Sequence, residues 1–326
     1  KAQEIISAGD VPLGTQGNLF GITGGEGTGK SNYVAAIVAG CICPAGADID
    51  TLGIQITANG RHKAVLLYDT EQSEVQLFKN VSNLLARAKQ PDKPDELKAF
   101  CLTGMSRKER LNAIVQSMDK FYYQYGGIQL VVIDGIADLV KSANDEAESV
   151  AVIDELYRLA GIYNTCILCV LHFVPNGLKL RGHLGSELQR KAATILSIEK
   201  DEEPTQSVVK ALKVRDGSPL DVPLMLFAWD KEAGMHVYKG EKPREEKEKR
   251  KERELVNVAR DIFGRQTRIT YIDLCEQLQQ VLDIKERTAK SYIRFMRERD
   301  IITKDTANQS CFVIGSYHLQ RNASCP

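Results

Sequence analysis

GGEGTGKS, residues 24–31, follows the apolar run Leu19–Thr23 and opens a stretch of helical spacing that ends at Gly40. It fits G-x-x-x-x-G-K-[ST] in full, in the strand-to-helix setting that motif requires. Glycines let backbone N–H groups wrap phosphate oxygens, and the helix start adds positive dipole. Gly24, Gly25, Glu26, Gly27, Thr28, Gly29, Lys30, Ser31 and the next residue, Asn32, are therefore the candidate nucleotide-binding residues. Lys30 would reach the β- and γ-phosphates, and Ser31 would offer a hydroxyl to Mg²⁺. A strand leading into a phosphate loop and a helix is the first unit of an α/β fold.

Further strand-sized apolar runs follow at Ala64–Tyr68, Ala99–Leu102, Gln129–Ile133 and Thr165–Leu171. Helical stretches separate them, at about 74–89, from a capping box at Ser106 and Glu109 to Tyr125, and at about 146–163. Apolar strands alternating with helices predict a parallel sheet covered on both faces. From Ala193 the helices stop. Ala193–Glu199, Ser207–Val214, Pro223–Trp229 and Met235–Tyr238 read as an antiparallel extension of that sheet.

Residues 241–254, EKPREEKEKRKERE, carry 7 basic and 6 acidic side chains and no apolar one. They read as a charged linker between a domain over 1–240 and a small one over 255–326. In the small domain, helical spacing at Leu255–Phe263, Tyr271–Leu278 and Lys285–Arg299 precedes a hairpin from Ile301–Thr303 and Phe312–Ile314. Thr270 is a plausible N-cap. Three helices and a two-stranded wing are the winged-helix order.

The chain has 326 residues, with 43 Lys+Arg against 43 Asp+Glu. That balance excludes blanket basic binding to nucleic acid, yet it is a cancellation. Residues 1–240 hold 25 basic and 29 acidic side chains, and residues 241–326 hold 18 and 14. No apolar run approaches the ~18 residues needed to span a bilayer, so no membrane partner is expected. The start shows no signal-peptide pattern, and beginning at Lys1 reads as a trimmed chain. The eight cysteines are scattered; Cys166 and Cys169, three apart on a strand, face opposite ways and make a poor metal pair. Free thiols suit a reducing cytoplasm.

Asp134 closes the apolar strand IQLVVID and is the expected acid for Mg²⁺. In VLLYDTEQS, residues 65–73, Glu71 could deprotonate an attacking water, with Asp69 its competitor. His172 ends the run CVLH, facing the ligand crevice either as a γ-phosphate sensor or as a structural histidine. In KVRDG, residues 213–217, Lys213 and Arg215 point the same way. They are either donors to a phosphate held by a neighbouring subunit or a solvated strand face.

The phosphate loop, the acid after the second strand, the acid strand, the strand-ending histidine and the K-x-R strand occur in the order of the RecA-like ATPase core. The set resembles the hexameric replicative helicases of the DnaB and RepA type from plasmids and mobile elements, over about residues 12–238. The resemblance implies ATP and Mg²⁺ as cofactors and Glu71 as catalytic base. It implies Lys213 and Arg215 acting in trans on the next subunit of a homo-oligomer, a hexamer. It also implies single-stranded DNA in a ring channel lined by the loops 135–146 and 173–187. The second loop holds Lys179, Arg181 and His183, and its RG-x-x-GS pattern resembles the RGS of RepA-type proteins.

Arg287, Lys290, Arg294 and Arg297 share one side of the helix read at 285–299. That stripe suits a recognition helix on duplex DNA; a solvated basic helix or a wing used for protein contacts are the other readings. The expected function is an ATP-dependent DNA helicase in the cytoplasm, replicating or mobilising a plasmid or mobile element. The alternatives are a DNA-binding assembly-switch ATPase that does not unwind and a recombinase-like filament former.

Overall fold

The computed structural model describes residues 2–172, 182–201, 203–242 and 244–317. The chain divides into two compact units, 1–241 and 242–326, each described by itself.

The first unit is a RecA-like α/β domain. Its nine-stranded sheet has six parallel strands: β3 (Leu19–Gly24), β5 (Ala64–Asp69), β6 (Leu97–Cys101), β7 (Ile128–Asp134), β8 (Cys166–His172) and β9 (Thr194–Lys200). Antiparallel β10 (Gln206–Val214), β11 (Met225–Asp230) and β12 (Met235–Glu241) extend it. The order is β12-β11-β10-β9-β3-β8-β7-β5-β6. The strand carrying Asp134 is thus not next to the phosphate-loop strand; β8 lies between them.

Alternation along each strand feeds two cores, because successive side chains point to opposite faces. Helices α1 (Lys30–Ile42) and α2 (Glu74–Arg87) close one core. Helices α3 (Arg107–Tyr125), α4 (Glu146–Ile162) and α5 (Gly182–Lys191) close the other. In β8, Cys166, Leu168 and Val170 enter the first core, while Ile167, Cys169 and Leu171 enter the second. The two cysteines are buried free thiols on opposite faces. The capping box at the start of α3 is anchored by Glu109, whose Oε2 accepts from Ser106 N at 2.7 Å.

Three features differ from the sequence reading. The antiparallel part begins at β10 rather than at Ala193, since β9 pairs parallel with β3. The cause is α5, whose GHLGSELQRK reads as loop but supplies the crossover a parallel strand needs. The loop expected over 173–187 is therefore helical from Gly182. Last, β1 (Glu4–Ala8), β2 (Val11–Thr15) and β4 (Gln55–Ile56) form a separate three-stranded antiparallel sheet.

The second unit contains α6 (Arg244–Phe263), β13 (Ile269–Thr270), α7 (Tyr271–Leu282), α8 (Glu286–Glu298), β14 (Ile302–Lys304) and β15 (Cys311–Ile314). The charged stretch taken as a linker is helical from Arg244 onward, continuous with the apolar turns at Leu255–Phe263. Thr270 Oγ1 accepts from Asp273 N at 3.2 Å and caps α7. Strands β14 and β15 pair as a hairpin, and β13 adds to its other side. Ala289, Tyr292, Ile293 and Met296 turn the buried face of α8 inward. Among the described residues, no helix is long and apolar enough to cross a membrane.

Neighbouring residues on α8 separate core from surface. Ile293→Ala should lower unfolding free energy by about 2–5 kcal/mol through lost burial and a cavity. Arg294→Ala, which removes only an exposed ion pair with Glu298, should cost about 0.5 kcal/mol or less. Urea denaturation of both variants checks the contrast.

Candidate nucleotide site

The phosphate loop is built by close packing around its glycines. A Cβ on Gly24 would collide with the carbonyl of Ile198 on β9. Gly29, the N-cap of α1, has φ +94°, and a Cβ there would lie 2.8 Å from the Phe227 ring. The loop therefore leans against both β9 and β11, and only glycine fits at either end. Thr28 Oγ1 donates to Gly25 O at 3.0 Å. Lys30 is buried at the start of α1; its Nζ donates to Gly24 O (3.0 Å) and Gly25 O (2.5 Å). Burial pushes its pKa down, against the pull of Asp134, Glu71 and Glu26. Ser31 is exposed and Asn32 half-buried in the first turn of α1, which has no acidic residue. Its free N–H groups and dipole favour an anion there.

The parallel register lines up the ends of four strands. Gly24 stands opposite His172, Asp134 opposite Val170, and Asp69 directly opposite Asp134. Asp69, the other candidate base, braces Glu71. Its buried Oδ1 accepts from Glu71 N (3.0 Å) and Gln72 N (2.8 Å), folding the chain into a turn that carries Glu71 outward. Burial raises the Asp69 pKa, and these two N–H bonds oppose the rise. Thr70 locks this turn to the next one. Its hydroxyl donates to the carbonyls of Asp134 (3.0 Å) and Gly135 (2.8 Å), and its N–H to Asp134 O (3.1 Å). Gly135 has φ +95°, and a Cβ on it would lie 2.7 Å from Glu71 Cγ. Glu71 Oε2 meets His172 Nε2 at 3.1 Å.

Asp134 has its pKa pushed up to about 7, first by burial and then by the charges of Asp69 and Glu71; His172 and Lys30 only partly offset this. A carboxyl whose ionisation is disfavoured by burial and by neighbouring charge is one a divalent cation would stabilise ionised. Among the described residues, no group of three or more His, Cys, Asp or Glu could hold a metal alone. The arrangement suits Mg²⁺, which takes one or two protein oxygens and shares the rest with substrate phosphates. Ser31 and Asp134 fit that role.

The other predicted residues divide. Lys213 is on β10 and Arg215 just beyond it, and Val214 pairs with Thr194 at the start of β9. Gly24 pairs with Ile198, near the end of β9. Both cations therefore sit at the edge of the sheet opposite the phosphate loop. There they cap α5: Lys213 Nζ donates to Gln189 O (2.8 Å) and Arg190 O (3.2 Å), and Arg215 Nη2 to Lys191 O (3.0 Å). His183 is exposed in the first turn of α5 rather than in a loop. Lys179 and Arg181 lie outside the described residues. In the second unit, Arg287, Lys290, Arg294 and Arg297 are exposed on α8. Lys290 pairs with Glu286 at 2.7 Å, and the Arg297 guanidinium lies 5.9 Å from the Phe312 ring centroid.

Sequence reasoning missed Thr70 and the bracing role of Asp69. The D-T-E order held the signal, since an Asp two residues before a carboxylate can accept from that residue's own N–H.

A family model described as an AAA domain matches residues 4–176, just over half the chain. The match includes the phosphate loop, Glu71, Asp134 and His172, and stops before Lys213. No curated protein matches the sequence.

Two outcomes follow from this geometry. The folded-state pKa of Asp134 lies above its unfolded value, so the folded protein binds the extra proton between about pH 4 and pH 7. Without divalent cation, stability should then fall as pH rises through that window, and Asp134→Asn should raise Tm more at pH 7.5 than at pH 5 in EDTA. Gly135→Ala should displace Glu71 without touching the phosphate loop, lowering kcat for ATP hydrolysis about 10²-fold. Nucleotide affinity, measured by equilibrium dialysis, should change little.

Proposed function

The chain belongs to the AAA-domain family of P-loop ATPases, and from that premise we propose that it is an ATP-driven DNA motor, a helicase working as a ring of identical subunits in the cytoplasm. The plasmid or mobile-element setting is part of the same reading. The observation that carries it is the position of Lys213 and Arg215. They lie at the sheet edge away from their own phosphate loop, so any nucleotide they contact is a neighbour's. In a hexameric ring each edge can face the next subunit's site.

In this reading Lys30 and the first-turn amides of α1 hold the β- and γ-phosphates. Mg²⁺, when bound, neutralises phosphate charge and would be held by Ser31 and Asp134. Glu71, oriented by Asp69, takes a proton from the water that attacks the γ-phosphorus. The bond from that phosphorus to the β–γ bridging oxygen breaks, leaving ADP and phosphate. His172, hydrogen-bonded to Glu71, is the group that would register the γ-phosphate. Lys213 and Arg215 would leave the α5 carbonyls to offset charge on the neighbour's transferring phosphoryl group.

For the second unit we propose a winged helix whose α8 binds duplex DNA. The support is its order of helices before a hairpin, and four exposed cations on the flank of α8 away from Ile293 and Met296. Those side chains suit phosphate contacts, which position a protein on DNA. Single-stranded DNA in the ring channel near 173–187 rests on the resemblance alone.

Two assays test the proposal. Lys30→Ala and Arg215→Ala subunits should each lose about 10³-fold in ATPase rate, and mixing exchangeable subunits should restore activity by assembling intact shared sites. No recovery on mixing would overturn the shared site. Wild-type protein should displace a strand from forked DNA with ATP; hydrolysis without displacement would overturn the motor and leave an assembly switch.

A further inference from the structure

Trp229 is the only tryptophan in the chain, and it is 54% exposed. Its position in the sheet gives that exposure a use. β11 runs parallel to β3, two antiparallel steps removed, so its Asp230 end lies on the same edge as the phosphate loop. Phe227 and Trp229 are two apart and project from the same face. That is the α1 face, since Phe227 packs against Tyr33 of α1 with ring centroids 5.8 Å apart. Phe227 is also the residue on which Gly29 closes. Trp229 thus continues, one step nearer the ligand edge, a surface that begins at the last glycine of the phosphate loop.

The surface is braced from both sides. His236 stands directly opposite Trp229 on β12 and meets it edge-on, with centroids 5.5 Å apart. It meets Phe227 in the same way at 5.7 Å. Arg87, buried under this sheet edge, donates to the carbonyls of His236 (2.5 Å) and Asp50 (2.8 Å). Asp50 in turn accepts from Tyr238 N at 2.7 Å. A buried arginine therefore clamps β12 to α2 beneath the aromatic row. Burial, followed by the charges of Arg87 and Lys200, lowers the His236 pKa, so the imidazole adds no charge to the row near neutral pH.

We propose that Trp229, supported by His236 and Phe227, is the base platform of the nucleotide site, stacking the purine of the nucleotide whose phosphates occupy residues 24–31. The proposal rests on the ATPase reading and adds a subsite to it. An aromatic face accepts any base, so this contact supplies affinity and leaves discrimination between purines to other groups.

The single tryptophan makes the test direct, using the full chain with Mg²⁺ and two ligands: ATP, and inorganic tripolyphosphate, which has no base. ATP should quench Trp229 emission on saturation. Tripolyphosphate should compete with ATP yet leave the emission unchanged. Trp229→Leu should weaken ATP binding about tenfold and leave tripolyphosphate binding as it was, whereas Trp229→Phe should stay within about twofold for both. The platform is overturned if ATP binds by equilibrium dialysis without changing the emission, if tripolyphosphate quenches as strongly as ATP, or if Trp229→Leu weakens both ligands equally. If neither ligand binds wild-type protein while Lys30→Ala behaves identically, the ATPase reading falls and the platform falls with it.

Discussion

Asp69 and Asp134 end neighbouring parallel strands in direct register, and the rest of the site is arranged around that pair. Strands buried on both faces leave no place for charge along their length, so carboxylates collect at the ends. Two of them side by side repel, and in a partly buried setting the repulsion is large enough to change protonation. The protein treats the two differently. Asp69 is satisfied by two backbone N–H groups and becomes a fixed part of the turn. Asp134 lacks that compensation, and its pKa climbs to about 7. One acid is thereby structural and the other is left in need of a cation.

The Thr70 hydroxyl converts this electrostatic arrangement into geometry. By bonding the carbonyls of Asp134 and Gly135, it joins the turn after β5 to the turn after β7. Gly135, in a left-handed conformation with Glu71 against its Cα, removes the remaining slack. Glu71 is exposed, yet it is held from three directions: its N–H by Asp69, its aliphatic carbons by Gly135 and its carboxylate by His172. In the proposed reaction, a base restrained in this way would lose little entropy when water and phosphate arrive.

The parts of this architecture legible in the sequence are those fixed by local pattern. The five continuously apolar runs became parallel strands, fully buried except at the edge strand β6, and the phosphate loop took its strand-to-helix setting because its glycines allow close contacts and a left-handed turn that other residues would not. Strand ends and spacing singled out Asp134 and Glu71, which the fold places at neighbouring strand ends on the phosphate-loop edge. What was hidden depends on partners distant in sequence. Helix α5 has two glycines and few apolar residues, with Leu184 and Leu188 its buried apolar side chains and its last carbonyls held by Lys213 on β10 and Arg215 just beyond it, so its crossover and the parallel direction of β9 could not be read locally. The charged stretch after 241 has no apolar periodicity, and its helicity follows from continuity with the turns at 255–263. The tie between Thr70 and Gly135 joins residues 65 apart and leaves no mark on either segment alone.

Charge sharpens the functional argument. The ligand edge of the first unit gathers Glu26, Asp69, Glu71 and Asp134 around one lysine, Lys30, and a nucleoside triphosphate adds several more negative charges. One ammonium, already lowered in pKa by burial, does not balance that sum, so hydrolysis requires positive charge brought from elsewhere. Mg²⁺ is one source. The chain's own Lys213 and Arg215 are at the opposite edge, engaged with the last carbonyls of α5. Those bonds are to neutral acceptors at a helix C-terminus, worth less than contact with a phosphate dianion. In the proposed ring a neighbour's nucleotide would therefore draw them off α5. Because the first turns of α5 fall within 173–187, the stretch the resemblance assigns to DNA, the same exchange in the proposed ring would couple the state of the nucleotide to that stretch.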